Sequence, residues 1–282
     1  MKRIIAVISL VLCFCLLLCS CDSVTSVLGG GDESIKYDIK DGEATVKSVP
    51  NKSTITEIVI PDEYDGVPVT KIADFSAANL EYVTTIYIGK NVKEIGTWSM
   101  TNNQHITEFK VDENNPHFCD VDGVIYSKDM KTLVFYPLAK DLKDAKDHEG
   151  KAIKISQYTI LDGVETIRSK AFYKANAITE LNIPSSVKKI EEKAFFRCER
   201  MENIVLPLAL EFIGKDAFSY CYGLKELVIS ENIMEIGEYA FYNCTNLLTV
   251  NVQKSEANIT LGEKWYPTNN GLEIKELKIN WK

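Results

Sequence analysis

Four consecutive stretches of equal length decide the fold: IRSKAFYKANAITELNIPSSVKK (167–189), IEEKAFFRCERMENIVLPLALEF (190–212), IGKDAFSYCYGLKELVISENIME (213–235) and IGEYAFYNCTNLLTVNVQKSEAN (236–258). Each opens Ile-x-x-x-Ala-Phe, so the anchors Ile167, Ile190, Ile213 and Ile236 lie 23 residues apart. Other columns keep the register. Eight residues after the anchor stand Ala175, Cys198, Cys221 and Cys244, and eleven after it Ile178, Met201, Leu224 and Leu247. Fourteen and sixteen after it stand Leu181 and Ile183, Ile204 and Leu206, Leu227 and Ile229, Val250 and Val252. That last alternation has the period of a half-buried strand, and a helical turn is expected to carry Ala-Phe.

Eight of the 23 positions in a unit are apolar. Burying a large one yields about 1.5–3 kcal/mol, while ordering each backbone residue costs about 1–2 kcal/mol. A single unit cannot close that gap, whereas a stack shares core and backbone hydrogen bonds between neighbours. The period continues upstream in weaker form: Ile72 and Ile95 are 23 apart, with Val83, Ile86 and Ile88 matched by Ile106, Phe109 and Val111, and Ser76-Ala77 and Ser99-Met100 in place of Ala-Phe. Ile160, Val164 and Ile167 restart the strict register after an interruption. Downstream, Ile259 falls 23 after Ile236, and Leu277 with Ile279 offers a last strand, for eight or nine coils in all.

The units IEEKAFFRC (190–198) and IGEYAFYNCTNL (236–247) resemble BspA-type leucine-rich repeats of bacterial surface proteins, and VDGVIYSKDMKTLVFYP (121–137) resembles a hairpin insert of that family. The resemblance covers roughly residues 35–282. It implies an α/β class, a curved right-handed leucine-rich-repeat solenoid with short parallel strands, a binding or adhesive role and no enzymatic activity. IKYDIKDGEATV (35–46) reads independently as a β-hairpin around Asp41-Gly42, a favoured type I′ turn dipeptide, placed to cap the stack. The expected organisation is a signal peptide over 1–20, a tether over 21–34, the capping hairpin over 35–56 and the solenoid over 57–282. The hairpin insert and a charged stretch, AKDLKDAKDHEGK (139–151), fall within about 112–157. That charged stretch lacks an apolar period and reads as a solvated loop or short helix.

Lys2 and Arg3 precede an apolar run from Ile4 to Leu18, too short to span a bilayer comfortably and fitting a secretory signal. Leu18-Cys19-Ser20-Cys21 resembles a bacterial lipobox, which implies a diacylglyceryl thioether on Cys21 and a location outside the cytoplasm, at the cell surface or in the periplasm. Asp22 to Ser34 is small and polar around three glycines, and a coil of that length reaches about 20 Å.

The chain carries 32 Lys+Arg against 40 Asp+Glu, a net charge of −8, which makes nucleic acid a poor partner. Cys119, Cys198, Cys221 and Cys244 are expected as free thiols, because side chains stacked in parallel keep Cβ atoms about 4.8 Å apart, beyond disulfide geometry. Asp112-Glu113-Asn114 and Asp120-Val121-Asp122-Gly123 lack a calcium-loop core and read as turns. His105, His117 and His148 are too dispersed for a ligand set. No catalytic pair, metal site or cofactor is expected. Outward strand positions give the candidate partner-binding residues: Glu108, Glu180 and Glu226, with Glu276, as an acidic stripe, and Asn182, Val205, Val228 and Asn251 in the column between the strand anchors, apolar at Val205 and Val228. The expected partner is a protein or glycan, host or extracellular-matrix components included; ordinary solubilising charge, a non-catalytic spacer and an accessory module of a polymer-degrading system are the rival readings. Tyr173, Phe196 and Tyr242, with Tyr220 and Tyr222, form an aromatic row, expected to pack between coils rather than to bind sugar.

Overall fold

The computed structural model describes residues 35–147, 149–270 and 272–282; the signal, Cys21 and tether expected over 1–34, and His148, lie outside them. The alternating stretch of each unit becomes a short strand. Glu57–Ile60, Thr85–Ile88 and Glu108–Val111 form one parallel group. Ala152–Thr159, Ile178–Asn182 and Asn203–Ile204 form the second, and Glu226–Ile229, Thr249–Val252 and Lys278–Trp281 the third. Pairing follows the repeat: Leu227 faces Val250 and Ile229 faces Val252. The anchors form a second parallel ladder through Thr166–Ile167, Lys189–Ile190, Phe212–Ile213 and Glu235–Ile236. The result is a β-solenoid of 23-residue coils with no α-helix among the described residues.

The Ala-Phe segment is therefore a run of tight turns where a helical turn was expected. Residues three and seven places after the anchor adopt positive φ in coil after coil: Lys170 and Lys174, Lys193 and Arg197, Asp216 and Tyr220, Tyr239 and Asn243. Each left-handed residue costs about 1–3 kcal/mol, and the stack offsets it through the backbone. Phe172 N–H donates to the Ala194 carbonyl, Phe195 to Ala217 and Phe218 to Ala240, each at 2.8 Å, while the intervening amides close turns within the coil. A helix would spend every amide internally; here alternate amides reach the next coil.

The core is a set of columns. Phe172, Phe195, Phe218 and Phe241 are fully buried, with successive ring centroids 5.1, 5.0 and 5.4 Å apart. The thiols behave as expected: Cys119, Cys198, Cys221 and Cys244 are buried and none is in a disulfide. Cys198, Cys221 and Cys244 donate to the carbonyls of Phe172, Phe195 and Phe218 in the preceding coil, at 3.2, 3.1 and 3.0 Å. In the degenerate coil Asn103 fills the same column and donates to the corresponding carbonyl, Ala77, at 2.7 Å. Desolvation pushes the Cys221 and Cys244 thiols well above their ordinary pKa.

The capping hairpin is Lys36–Lys40 paired with Glu43–Ser48 around Asp41 and Gly42, both at positive φ as a type I′ turn requires. The insert is larger than a hairpin: Phe118–Val121, Val124–Ser127 and Thr132–Phe135 form an antiparallel meander whose last strand pairs parallel with Thr166–Ile167. Its side chains divide between two cores. Val124, Tyr126 and Leu133 pack with the C-terminal coils, Ile125, Val134 and Phe135 with the N-terminal ones. Side chains bridge the seam, Arg168 donating from its guanidinium to the Ile95 carbonyl and Gln104 to the Lys174 carbonyl at 3.4 Å.

Three local expectations are corrected. Within the charged stretch, Lys143–Lys146 is a strand paired antiparallel with Ala152–Thr159, with Lys154 and Asp144 2.7 Å apart across the pair; most of its side chains are exposed, so no apolar period betrays it. The anchor after Ile236 is Leu261 rather than Ile259, because the 3₁₀ turn Glu256–Asn258 precedes it. The last strand aligns Ile279 with Val250 and Trp281 with Val252, one step beyond Leu277 and Ile279. The hairpin Thr268–Asn269 with Leu272–Glu273 lengthens the preceding connection.

Phe218→Ala removes a ring stacked on both sides, and urea unfolding is expected to show a loss of about 3–5 kcal/mol. Alkylation followed by mass spectrometry of unfolded, unreduced protein should find Cys198, Cys221 and Cys244 as free thiols. The native protein should alkylate them only at its rate of opening, and a disulfide within the column would contradict the ladder.

Candidate binding surface

The outward strand positions follow from the register. Glu180 pairs with Asn203, Glu226 with Thr249 and Val228 with Asn251, and strand alternation keeps these positions opposite the buried ones. Side chains there join neighbouring coils: Gln157 donates to Glu180 at 3.0 Å, Asn182 to Thr159 at 3.2 Å, Asn251 to Glu226 at 3.1 Å and Asn280 to Asn251 at 2.8 Å. Glu108 stands apart. It pairs with Lys110 at 3.2 Å, and the insert's Gly123 lies so close that a Cβ there would come within 2.7 Å of the Glu108 Cβ. Glu276 is out of the column altogether, since Lys278 faces Thr249. The expected acidic stripe thus reduces to Glu180 and Glu226.

No backbone ladder joins Asn203–Ile204 to Glu226–Ile229 among the described residues. At this break lies a shallow pocket of about 520 Å³. Val205, Glu226 and Val228 line it, as does Leu208, which the sequence reading missed. Val205 is 80% exposed, Leu208 71% and Val228 45%. Leu208 had a sequence signal: eighteen residues after the anchor, the other strict coils carry Ser185, Glu231 and Lys254. The exposed segment is held in place, because the Leu208 carbonyl accepts from Ser230 at 2.9 Å and from Asn232 at 2.8 Å.

Several charges around the anchor ladder are paired, whereas the pocket's Glu226 is not. Glu165 sits between Lys131 and Lys188, Lys193 meets Asp216 at 2.9 Å, and Lys189 meets Glu191 at 3.0 Å. Glu180 and Glu226 have no ion pair among the described residues; each accepts from one side-chain amide. Asn182 and Asn251 flank the pocket's strands without lining it.

The profile of the BspA type leucine-rich repeat region matches six copies, over residues 47–120 and 150–267. The chain belongs to the BspA-type leucine-rich repeat family. No curated protein sequence matches it. Among solved structures it is similar to the pneumococcal vaccine antigen PcpA, with 23% identity and a TM-score of 0.63 over 81% of this chain and 57% of that one. It thus spans little more than half of PcpA. It is also similar to a leucine-rich repeat protein from Eubacterium ventriosum, with 15% identity and a TM-score of 0.51 over 88% of this chain and 95% of that one. At these identities the likeness is one of fold.

On this BspA-type solenoid the aromatic row extends further than the sequence suggested. Phe75, Trp98, Tyr173, Phe196, Tyr220 and Tyr242 follow one another at centroid distances of 5.6, 5.3, 5.2, 5.3 and 5.7 Å. Within the row the faces meet neighbouring rings and cations, Lys170 lying 4.5 Å from the Trp98 centroid and Arg197 4.9 Å from that of Tyr220, while the end ring Phe75 stacks only on Trp98 and is 64% exposed. Tyr173, Phe196, Tyr220 and Tyr242 thus pack between coils, as expected.

Asp112 accepts from Asn114 N–H at 2.8 Å within a turn; Asp122 and Gly123, both at positive φ, turn the chain between Phe118–Val121 and Val124–Ser127, while Asp120 lies in the strand and accepts from Val111 N–H at 2.7 Å. Burial pushes Tyr126 and Tyr136 up to about 12; these belong to the core beside the insert, and neither lines the pocket. Because Glu180 and Glu226 lack ion-pair partners, the double substitution Glu180→Gln/Glu226→Gln is expected to change stability by less than about 0.5 kcal/mol in urea titration.

Proposed function

We propose that this chain is a lipid-anchored, extracytoplasmic binding protein that captures a protein partner on its strand face. The resemblance of Leu18 to Cys21 to a lipobox supports the anchor, with Cys21 as the acylated residue and residues 22–34 holding the solenoid away from the bilayer. One observation carries the binding role: two neighbouring coils expose Val205, Leu208 and Val228 into a single pocket at columns that elsewhere hold mainly polar residues. A spacer has no need of such residues, and clustered exposed apolar surface marks interaction sites. The absence of an aromatic residue from the lining favours a protein over a glycan.

Two measurements test this. Cys21→Ala should shift the protein from the membrane to the soluble fraction, and continued membrane retention would remove the anchor. In bacteria displaying the full chain, adhesion to immobilised host-matrix or bacterial surface proteins should fall about tenfold for Val205→Asp, Leu208→Asp and Val228→Asp. The control Met234→Asp, also exposed but away from the pocket, should adhere like the wild type. Equal adhesion by all four variants would return the chain to the spacer reading.

A further inference from the structure

Resting on that reading of the strand face, we infer what the pocket recognises: an aliphatic or aromatic side chain on a partner protein segment whose flanking residues are lysine or arginine. The anchor follows from the lining. Ile183, Ile204, Leu206 and Pro207 form the pocket with Val205, Leu208 and Val228, and its only charged member is Glu226. An apolar group entering alone would strip water from that carboxylate without replacing it, which costs free energy. A guanidinium or ammonium beside the anchor supplies the missing counter-charge.

Glu180, two coils away on the same column, waits in the same state, hydrogen-bonded to Gln157 and without an ion pair among the described residues. Neighbouring Lys225 lies 3.6 Å from Glu202 in an exposed pair and forms no ion pair with Glu226. Several charges around the anchor ladder are paired, whereas Glu180 and Glu226 are among the carboxylates left without an ion pair among the described residues, on a chain whose net charge is −8. Both features favour a cationic segment and repel an acidic one, in rate as well as in specificity.

The site is also prepared for binding. Pro207 fixes its own φ, and Ser230 and Asn232 clamp the Leu208 carbonyl. The backbone of this segment therefore has little conformational entropy left to lose on binding.

The test uses the purified full chain in detergent and three fluorescein-labelled hexapeptides, read by anisotropy. One has leucine-phenylalanine at its centre with lysine and arginine on both sides, the second replaces the basic residues with glutamate, and the third replaces the apolar centre with serine. The first is expected to bind at least about tenfold more tightly than either control at low salt. Val205→Asp should weaken it about tenfold, with the melting temperature unchanged because the side chain is exposed. Glu180→Gln/Glu226→Gln should weaken it about threefold and flatten its salt dependence. The inference is overturned if the acidic or serine-centred peptide binds as well, if Val205→Asp leaves binding intact, or if the basic peptide shows no binding up to about 1 mM, roughly −4 kcal/mol. Adhesion separates the two levels. If Val205→Asp abolishes adhesion while the peptides fail, only this inference falls; if adhesion survives Val205→Asp, the protein-binding reading falls with it.

Discussion

Everything in this solenoid depends on where alternate amides of the Ala-Phe turn point. In each strict coil they leave their own turn and donate to carbonyls of the next coil. A backbone that reaches outward in this way cannot be helical, so residues on either side of Ala-Phe are driven into left-handed conformations, which lysine, arginine, aspartate and tyrosine occupy in place of glycine. The same constraint fixes the turn rather than the residues between turns: the coil from Ile236 to Leu261 is longer than the others, yet the Tyr239 and Phe241 amides still donate to the Glu263 and Trp265 carbonyls, each at 2.9 Å. It also explains the small residue before each phenylalanine. Ser76 and Ser99 can replace alanine there because their hydroxyls return to the local carbonyls of Ala73 and Gly96, each at 2.7 Å.

Where the ladder stops, side chains take over its role. At the seam between the two halves, the Arg168 guanidinium and the Gln104 carboxamide reach backbone carbonyls across the junction. The insert meanwhile offers apolar side chains to both cores. That double burial accounts for the composition of VIYS (124–127) and TLVF (132–135), which are nearly continuous apolar runs rather than alternating ones. Asn115 closes the N-terminal stack in a comparable way, its buried amide donating to Gly89 and Val92 while its oxygen accepts from His117 and Phe118.

What the sequence disclosed and what it hid divide along the same physical line. Inward columns were legible because burial holds them to a narrow choice of residues: Phe195, Phe218 and Phe241 fall in one row, and the three column cysteines are free and buried. The turn conformation was not legible, since Lys193 and Arg197 are ordinary helix formers whose positive φ is imposed by hydrogen bonds to another coil. Nor was the strand Lys143–Lys146, held by backbone pairing with most of its side chains in water. Register beyond Ile236 slipped because periodicity cannot count the residues that the 3₁₀ turn Glu256–Asn258 adds before Leu261 and the hairpin Thr268–Asn269 with Leu272–Glu273 adds after it. Of the proposed surface, Val205, Glu226 and Val228 were found from their columns and meet in one pocket. Leu208 escaped because only the strand columns were searched for exposed apolar residues, whereas it lies in the connection beyond the strand.

This division bears on how such a chain acquires a binding site. Most inward positions, such as Phe195, Phe218, Cys221 and Ile213, have zero exposure and admit little change. The outward ones contribute almost nothing to that core, so valine can stand at 205 and 228 where asparagine stands at 182 and 251 without disturbing the stack. The pocket forms where the strand ladder is itself interrupted, between Asn203–Ile204 and Glu226–Ile229. Continuity on both sides of that break is maintained by the turn ladder and the anchor strands, which run unbroken from Ile167 to Ile236. A fold tied together along separate lines can open one of them locally, and the opening becomes a surface feature rather than a loss of structure.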